Sequence, residues 1–102
     1  MYEEAQFHVC SSEEGFYLAP VGEIDMAAGP AFAAAVEGML STLGEAVVDM
    51  SGVSFMDSAG LNVLCTAAAR GPVHLRCVPD QVRRIIMITG LESTFGMQSI
   101  AS

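Results

Sequence analysis

Apolar and polar residues alternate with a period of two at the start of the chain, a pattern typical of β-strands. From Gln6 to Ser12, Phe7 and Val9 fall on one face and polar residues fall between them. Gly15 then provides a turn residue, and the residues from Phe16 to Val21 form a second alternating run. The pattern predicts a hairpin of two antiparallel strands.

A helical period replaces the alternation after residue 25. Residues from Asp25 to Pro30 lead into a predicted helix, and Pro30 suits its first turn, where an N–H group has no partner. Gly44 is well placed to end this helix in the left-handed conformation. The run from Glu45 to Met50 then predicts a buried central strand. The apolar residues at helical spacing between these points are Phe32, Val36, Met39, Leu40 and Leu43.

Strand and helix patterns continue to alternate through the rest of the chain. A second helix is predicted from Ser58 to Ala69, a strand from Val73 to Val78, and a third helix from Pro79 to Thr89. The residues Leu91–Phe95 predict a short turn or helix, and Gly96–Ile100 predict a last short strand. A hairpin that feeds alternating strand–helix units indicates a single α/β domain with helices packed on a mixed sheet.

The passage from the central strand into the second helix carries the candidate chemistry. It places Asp57 and Ser58 at the start of a helix, at the carboxyl edge of the sheet, where open α/β sheets hold their functional residues. Asp and Ser are also the preferred helix N-caps, so the residues alone support a purely structural role. A phosphate on Ser58 is the functional alternative, because free N–H groups at a helix start favour an anion.

A catalytic serine is disfavoured. The Gly-x-Ser-x-Gly elbow is absent, since Met56 stands in place of the first glycine. The histidines that could act as a base, His8 and His74, are both predicted on strands with nothing that places them near Ser58. We therefore expect no enzymatic activity.

Charge narrows the partners that the chain can bind. The formal net charge is −8, from 12 acidic and 4 basic residues, and lysine is absent. This balance disfavours nucleic acids and anionic membrane surfaces, which bind through Lys and Arg. No apolar run reaches the ~20 residues of a membrane span, and the acidic start does not resemble a signal peptide. We expect a cytoplasmic protein. The acidic balance permits a protein partner with a basic patch, and solubility alone is the other explanation of the charge.

The cysteines predict neither a disulfide nor a metal site. Cys10, Cys65 and Cys77 form no Cys-x-x-Cys pair, and each has apolar neighbours, so we expect reduced core residues. His8 and His74 do not add enough ligands nearby for a zinc site. No metal and no cofactor are expected.

Two motifs resemble those of a known family. The run Phe55–Leu61 (FMDSAGL) resembles the phosphorylation loop of the STAS family, and within it that of bacterial anti-sigma factor antagonists. The run Val21–Asp25 (VGEID) is similar to the family's strand-ending Gly-Glu-Leu-Asp. The resemblance extends from Phe7 to Ile100. It implies one STAS domain over residues 1–102, with a mixed sheet of four or five strands and helices mainly on one face.

The resemblance also implies a mechanism. In such an antagonist the unphosphorylated form binds an anti-sigma factor that is a serine kinase, and the sigma factor is released. Phosphorylation of the loop serine, Ser58 here, ends the binding, and a serine phosphatase restores it. The alternative is a STAS module that is not switched and acts as a scaffold or a ligand-binding unit.

The family's site residues transfer to this chain by position. The resemblance implies that Asp57 positions the loop and aids recognition, that Asp25 is the acidic residue beside it, and that Gly60 gives the backbone room in the turn. Ala59 departs from the usual Ser or Thr, so Ser58 is the sole hydroxyl between Asp57 and Gly60. The expected docking residues on the second helix are Asn62, Val63 and Thr66.

Overall fold

The structure is a computed structural model that describes residues 5–97. It contains the N-terminal hairpin that the alternation predicts, formed by the first two strands. Across these residues the strands, in chain order, are β1 (Gln6–Ser12), β2 (Gly15–Ile24), β3 (Ala46–Asp49), β4 (Val53–Met56) and β5 (Val73–Arg76). The helices are α1 (Gly29–Leu43), α2 (Ser58–Ala68) and α3 (Asp80–Ile88), followed by one 3₁₀ turn, Ser93–Phe95.

β2 is the strand on which the sheet is assembled. It pairs with β1 in antiparallel fashion, with Tyr17 opposite Cys10. Its other side pairs in parallel with β3 near its start, where Leu18 lies opposite Val48, and with β4 at its end. β3 also pairs in parallel with β5. The described residues therefore form a mixed five-stranded sheet, which confirms the predicted fold class.

β4 was not predicted, because its segment looked like a polar turn. The chain turns only between Met50 and Gly52, where the Val53 N–H donates to the Met50 carbonyl at 3.0 Å. It then runs alongside β2, and the Gly22 N–H donates to the Gly52 carbonyl at 3.0 Å. Val53 and Met56 are buried, whereas the two residues between them are exposed. That burial pattern has no period of two, so the sequence gives no strand signal here.

The predicted C-terminal strand is not the fifth strand of this sheet. Gly96 and Met97 lie outside any strand, and Gly96 has a left-handed backbone, φ 63°, that ends the 3₁₀ turn. The remainder of the predicted strand, residues 98–100, lies outside the described residues.

The helices pack on one face of the sheet and form the core there. Along β3 and β5, Ala46, Val48, Val73 and Leu75 are buried beneath them, whereas the residues between are half-buried or exposed. The ring of Phe32 in α1 stacks on Phe7 of β1 with centroids 5.6 Å apart. The largest fully buried side chains are Phe32, Phe95, Leu18, Ile24, Met50, Met56, Leu64 and Ile86.

A cluster of charged side chains lies on the opposite face of the sheet. The Arg76 guanidinium lies 4.5 Å from the centre of the Tyr17 ring, and its nitrogens lie 3.6 Å from Glu14 and 4.0 Å from Asp49. The pKa of Tyr17 is raised above its usual value, chiefly because the neighbouring Cys10 side chain, when ionised, places a negative charge beside the phenol oxygen. The pair between Arg76 and Glu14 is open to solvent and therefore contributes little to stability.

The cysteines only partly match the prediction. All three are free, and Cys10 and Cys65 are half-buried, but Cys77 is exposed. β5 ends at Arg76, and Cys77 turns the chain with a left-handed backbone, φ 54°. The expectation of a core position for Cys77 was wrong because the strand ends at Arg76, two residues earlier than its pattern indicated.

One glycine inside α1 and one at its C-terminal end give a matched test of how this helix ends. Gly44 ends the helix at φ 80°, and its N–H donates to the Leu40 carbonyl at 2.9 Å. Gly44→Ala should lower the free energy of unfolding by about 1 kcal/mol, because a Cβ disfavours the left-handed region. Gly38 lies inside the helix with open space around it, so Gly38→Ala should raise the free energy of unfolding by about 0.5–1 kcal/mol. Urea denaturation measures both free energies of unfolding. A change of the same sign in the two variants would contradict the left-handed helix end at Gly44.

Candidate functional site

The junction between β4 and α2 is built around Asp57. Its backbone is extended, and its carboxylate caps α2 by accepting from the N–H groups of Ala59 at 2.9 Å and Gly60 at 3.4 Å. Such caps satisfy N–H groups that the helix itself leaves unpaired. The cap therefore fixes where α2 begins and which way its first residue, Ser58, faces.

Ser58 is the exposed first residue of α2. Within residues 5–97 its hydroxyl makes no side-chain hydrogen bond, while the capping role belongs to Asp57. Ser58 is therefore not the residue that caps α2. An exposed hydroxyl without an internal partner is accessible to a modifying enzyme.

The two sequence motifs converge at this edge of the sheet. β2 ends at Ile24, whose carbonyl accepts from the Asp57 N–H at 3.4 Å. Asp25 follows, and its carboxylate accepts from the Ala28 N–H at 3.1 Å as the chain turns toward α1. Met26 beside it is 80% exposed. Parallel pairing of β2 and β4 therefore places both acidic residues at the same edge as Ser58.

Gly60 is required for packing rather than for a turn. It is buried inside α2, and its φ is not positive. A Cβ built on it would overlap the Met56 side chain and lie 3.0 Å from Ile24 Cγ2. The absence of a side chain lets α2 approach the ends of β2 and β4, so the expected room is used for helix–sheet contact.

The expected docking residues differ in exposure. Asn62 and Thr66 are exposed and lie one and two turns beyond Ser58 on the same side of α2. Val63 is half-buried and packs against the core, and Ala59 is half-buried as well. Asn62 and Thr66 therefore present exposed side chains that a partner could contact, whereas much of the Val63 side chain packs against the core.

Sequence reasoning missed Gln81 in the first turn of α3. Its Oε1 accepts from the Met56 N–H and its Nε2 donates to the Met56 carbonyl, each at 3.0 Å. Met56 immediately precedes Asp57 and Ser58. No sequence pattern indicates this contact, because a glutamine near a helix start is ordinary and its partner is a backbone group.

Other kinds of site have less support in the described residues. Residues 5–97 contain no group of three or more side chains that could hold a metal ion. Depressions of about 390 Å³ along α3 and about 290 Å³ near the end of β5 are lined by other residues than Ser58. Over the same range, none of the helices has both the length and the apolar character needed to cross a membrane.

The tight contact at Gly60 predicts a large cost for a single methyl group. Gly60→Ala should lower the free energy of unfolding by about 1–3 kcal/mol, because Met56 and Ile24 must move in a packed core. Gly29→Ala is the matched control, since a Cβ there meets no atom within 4 Å. Thermal or urea unfolding compares the two variants, and equal stabilities would contradict the packing role.

The cap predicts a different response at Asp57. Asp57→Ala should lower the free energy of unfolding by about 1 kcal/mol, whereas Asp57→Asn keeps an oxygen acceptor and should lose much less. Urea denaturation at neutral pH measures the difference. If both variants lose the same stability, the carboxylate does not act as the cap.

A family model and a solved structure each match this chain over most of its length. The family model described as "Mlab, STAS domain" matches residues 9–99. The crystal structure of an anti-sigma factor antagonist from Mycobacterium paratuberculosis is 27% identical, with a TM-score of 0.79, and the match covers 96% of this chain and 88% of that one. No curated protein matches the sequence.

A second solved structure shows the same fold at lower identity. The anti-sigma factor antagonist SpoIIAA in its unphosphorylated form is 19% identical, with a TM-score of 0.61, and the match covers 81% of this chain and 83% of that one. At that identity the likeness concerns the fold. The family model, in contrast, spans most of the sequence. This chain therefore belongs to the STAS domain family.

Proposed function

We propose that this chain is an anti-sigma factor antagonist that binds an anti-sigma factor serine kinase until Ser58 is phosphorylated. The observation that carries the proposal is the exposed Ser58 hydroxyl at the start of α2, with the capping role taken by Asp57. The similarity to a solved antagonist over 96% of this chain supports the same role. The proposal assigns the chain no catalysis of its own.

The charges around Ser58 explain how a phosphate would act. A phosphoserine carries about −1.5 to −2 charges at neutral pH. The N–H groups of Ala59 and Gly60, which would otherwise attract an anion, already bind the Asp57 carboxylate. Asp25 adds a second carboxylate at the same edge. The phosphate would therefore add negative charge to an acidic site rather than be neutralised by the helix start.

The effect on a partner follows from the magnitude of this charge. At an effective dielectric constant of about 20 and ~5 Å separation, repulsion between charges amounts to a few kcal/mol. A penalty of ~3–4 kcal/mol in the complex weakens binding about 100- to 1000-fold. Because Ser58 is exposed, its modification needs no change of fold, and the partner that covers it experiences the charge directly.

The rest of the cycle follows from the same site. Binding of the unphosphorylated chain to the kinase frees the sigma factor, and a serine phosphatase returns the phosphorylated chain to the binding form. The formal net charge of −8 favours a protein partner over nucleic acid or an anionic membrane surface. The proposal places this exchange in the cytoplasm, where sigma factors act.

The second candidate is a STAS module that binds its partner without a switch. The description of the matching family model, which names Mlab and not an antagonist, favours keeping it. Such a module would bind its partner equally well with and without ATP, whereas a switched antagonist would dissociate once its kinase has acted.

The site assignment predicts where phosphate is incorporated. Incubation with ATP and the anti-sigma factor kinases encoded in the same genome should add one phosphate, and peptide mass spectrometry should locate it at residue 58. Ser58→Ala should abolish the incorporation. Ser54→Ala is the matched control, because Ser54 is an exposed serine on the adjoining strand β4 and should leave the incorporation unchanged.

Two outcomes would count against the proposal. Phosphate that appears at another residue, or equally in Ser58→Ala, would remove Ser58 from the switch. A kinase that forms a stable complex with the chain and never modifies it, with ATP present, would favour the module without a switch.

A further inference from the structure

The outer edge of β4 is completed by a side chain instead of a strand. Within residues 5–97, β4 has one strand neighbour, β2, since β5 pairs with β3. On its other side, the Gln81 carboxamide accepts from the Met56 N–H and donates to the Met56 carbonyl, each at 3.0 Å. A primary amide offers the same donor and acceptor as a peptide group. Gln81 thus takes the place of one residue of a pairing strand.

This contact holds the last residue before the candidate phosphorylation loop. Met56 lies opposite Ile24 of β2 on one side and bonds to Gln81 on the other. Its side chain is fully buried beneath α2, where a Cβ on Gly60 would overlap it. The next residue, Asp57, is the cap of α2. Any movement of Met56 would therefore displace both the cap and Ser58.

We infer that Gln81 is a positioning residue for Ser58: its carboxamide fixes the end of β4 and so orients the loop that the partner kinase recognises. We call the two hydrogen bonds between the Gln81 carboxamide and the Met56 backbone the tether. The consequence for the kinase rests on the proposed function, whereas the tether itself does not. A partner that binds one loop position sees an affinity reduced by the fraction of molecules in that position. Loss of the tether should therefore weaken recognition without changing the chemistry at the hydroxyl.

The variant Gln81→Met tests this with little change in shape. It keeps an unbranched side chain of similar length and good helix propensity, but it cannot donate to the Met56 carbonyl. Arg84→Met is the matched control, because Arg84 is exposed on the same helix and makes no hydrogen bond or ion pair among the described residues.

Amide hydrogen exchange, followed by NMR, measures the tether independently of any kinase. In Gln81→Met, exchange at the Met56 amide should accelerate about tenfold, the effect of losing one net hydrogen bond. The amides of β3 should remain as in the wild type, and Arg84→Met should change neither. Unchanged exchange at Met56, or an equal acceleration throughout the sheet, would overturn the inference.

Phosphorylation kinetics measure the positioning. In Gln81→Met, KM for the kinase reaction at Ser58 should rise about threefold with kcat unchanged, as when about one third of the molecules hold the competent loop position. A faster Met56 exchange with an unchanged KM would overturn the positioning role. If the wild type is not phosphorylated at Ser58, the proposed function fails, while the exchange experiment still tests the tether.

Discussion

The parallel pairing of β2 with β4 is the constraint on which the site depends. It sets Ile24 beside Met56, so the chain leaves both strands at the same edge of the sheet. The hydrogen bond from the Asp57 N–H to the Ile24 carbonyl extends this pairing by one residue. Without that register, the two acidic motifs would lie on separate parts of the surface, and Ser58 would keep Asp57 beside it but lose the nearby Asp25.

Packing and capping then convert this register into one defined position for Ser58. Gly60 allows α2 to rest on Met56 and Ile24, and the Asp57 carboxylate holds the first free N–H groups of α2. These two features have opposite chemical character, since one is buried and apolar and the other is polar and near the surface. Together they leave the Ser58 hydroxyl exposed at the start of α2.

Local chemistry explains which parts of the structure the sequence could predict. The α1 boundaries follow from Pro30 in the first turn and the left-handed Gly44 at the end, and the start of α2 follows from Asp57 and Ser58. β4 escaped prediction because its burial does not alternate and it pairs through only a few residues. Its strand character is a tertiary property that β2 imposes.

In the candidate site, too, some features follow from the local sequence and others from tertiary contacts. The exposure of Ser58 and the nearness of Asp25 and Asp57 to it could be inferred from motif resemblance and parallel-sheet geometry. The contact from Gln81 to Met56 could not, because it joins a helix side chain to a backbone group in another element. Packing likewise could not be predicted at Val63, which lies partly in the core although its helix position suggested a surface.

The proposed switch is tested most directly by titration calorimetry, which measures how tightly the proposed partner, an anti-sigma factor kinase, binds two forms of this chain: unmodified and carrying phosphoserine at position 58. We expect binding about 100- to 1000-fold weaker for the phosphorylated form, with an unchanged circular dichroism spectrum. Equal affinities for the two forms would contradict the proposed switch.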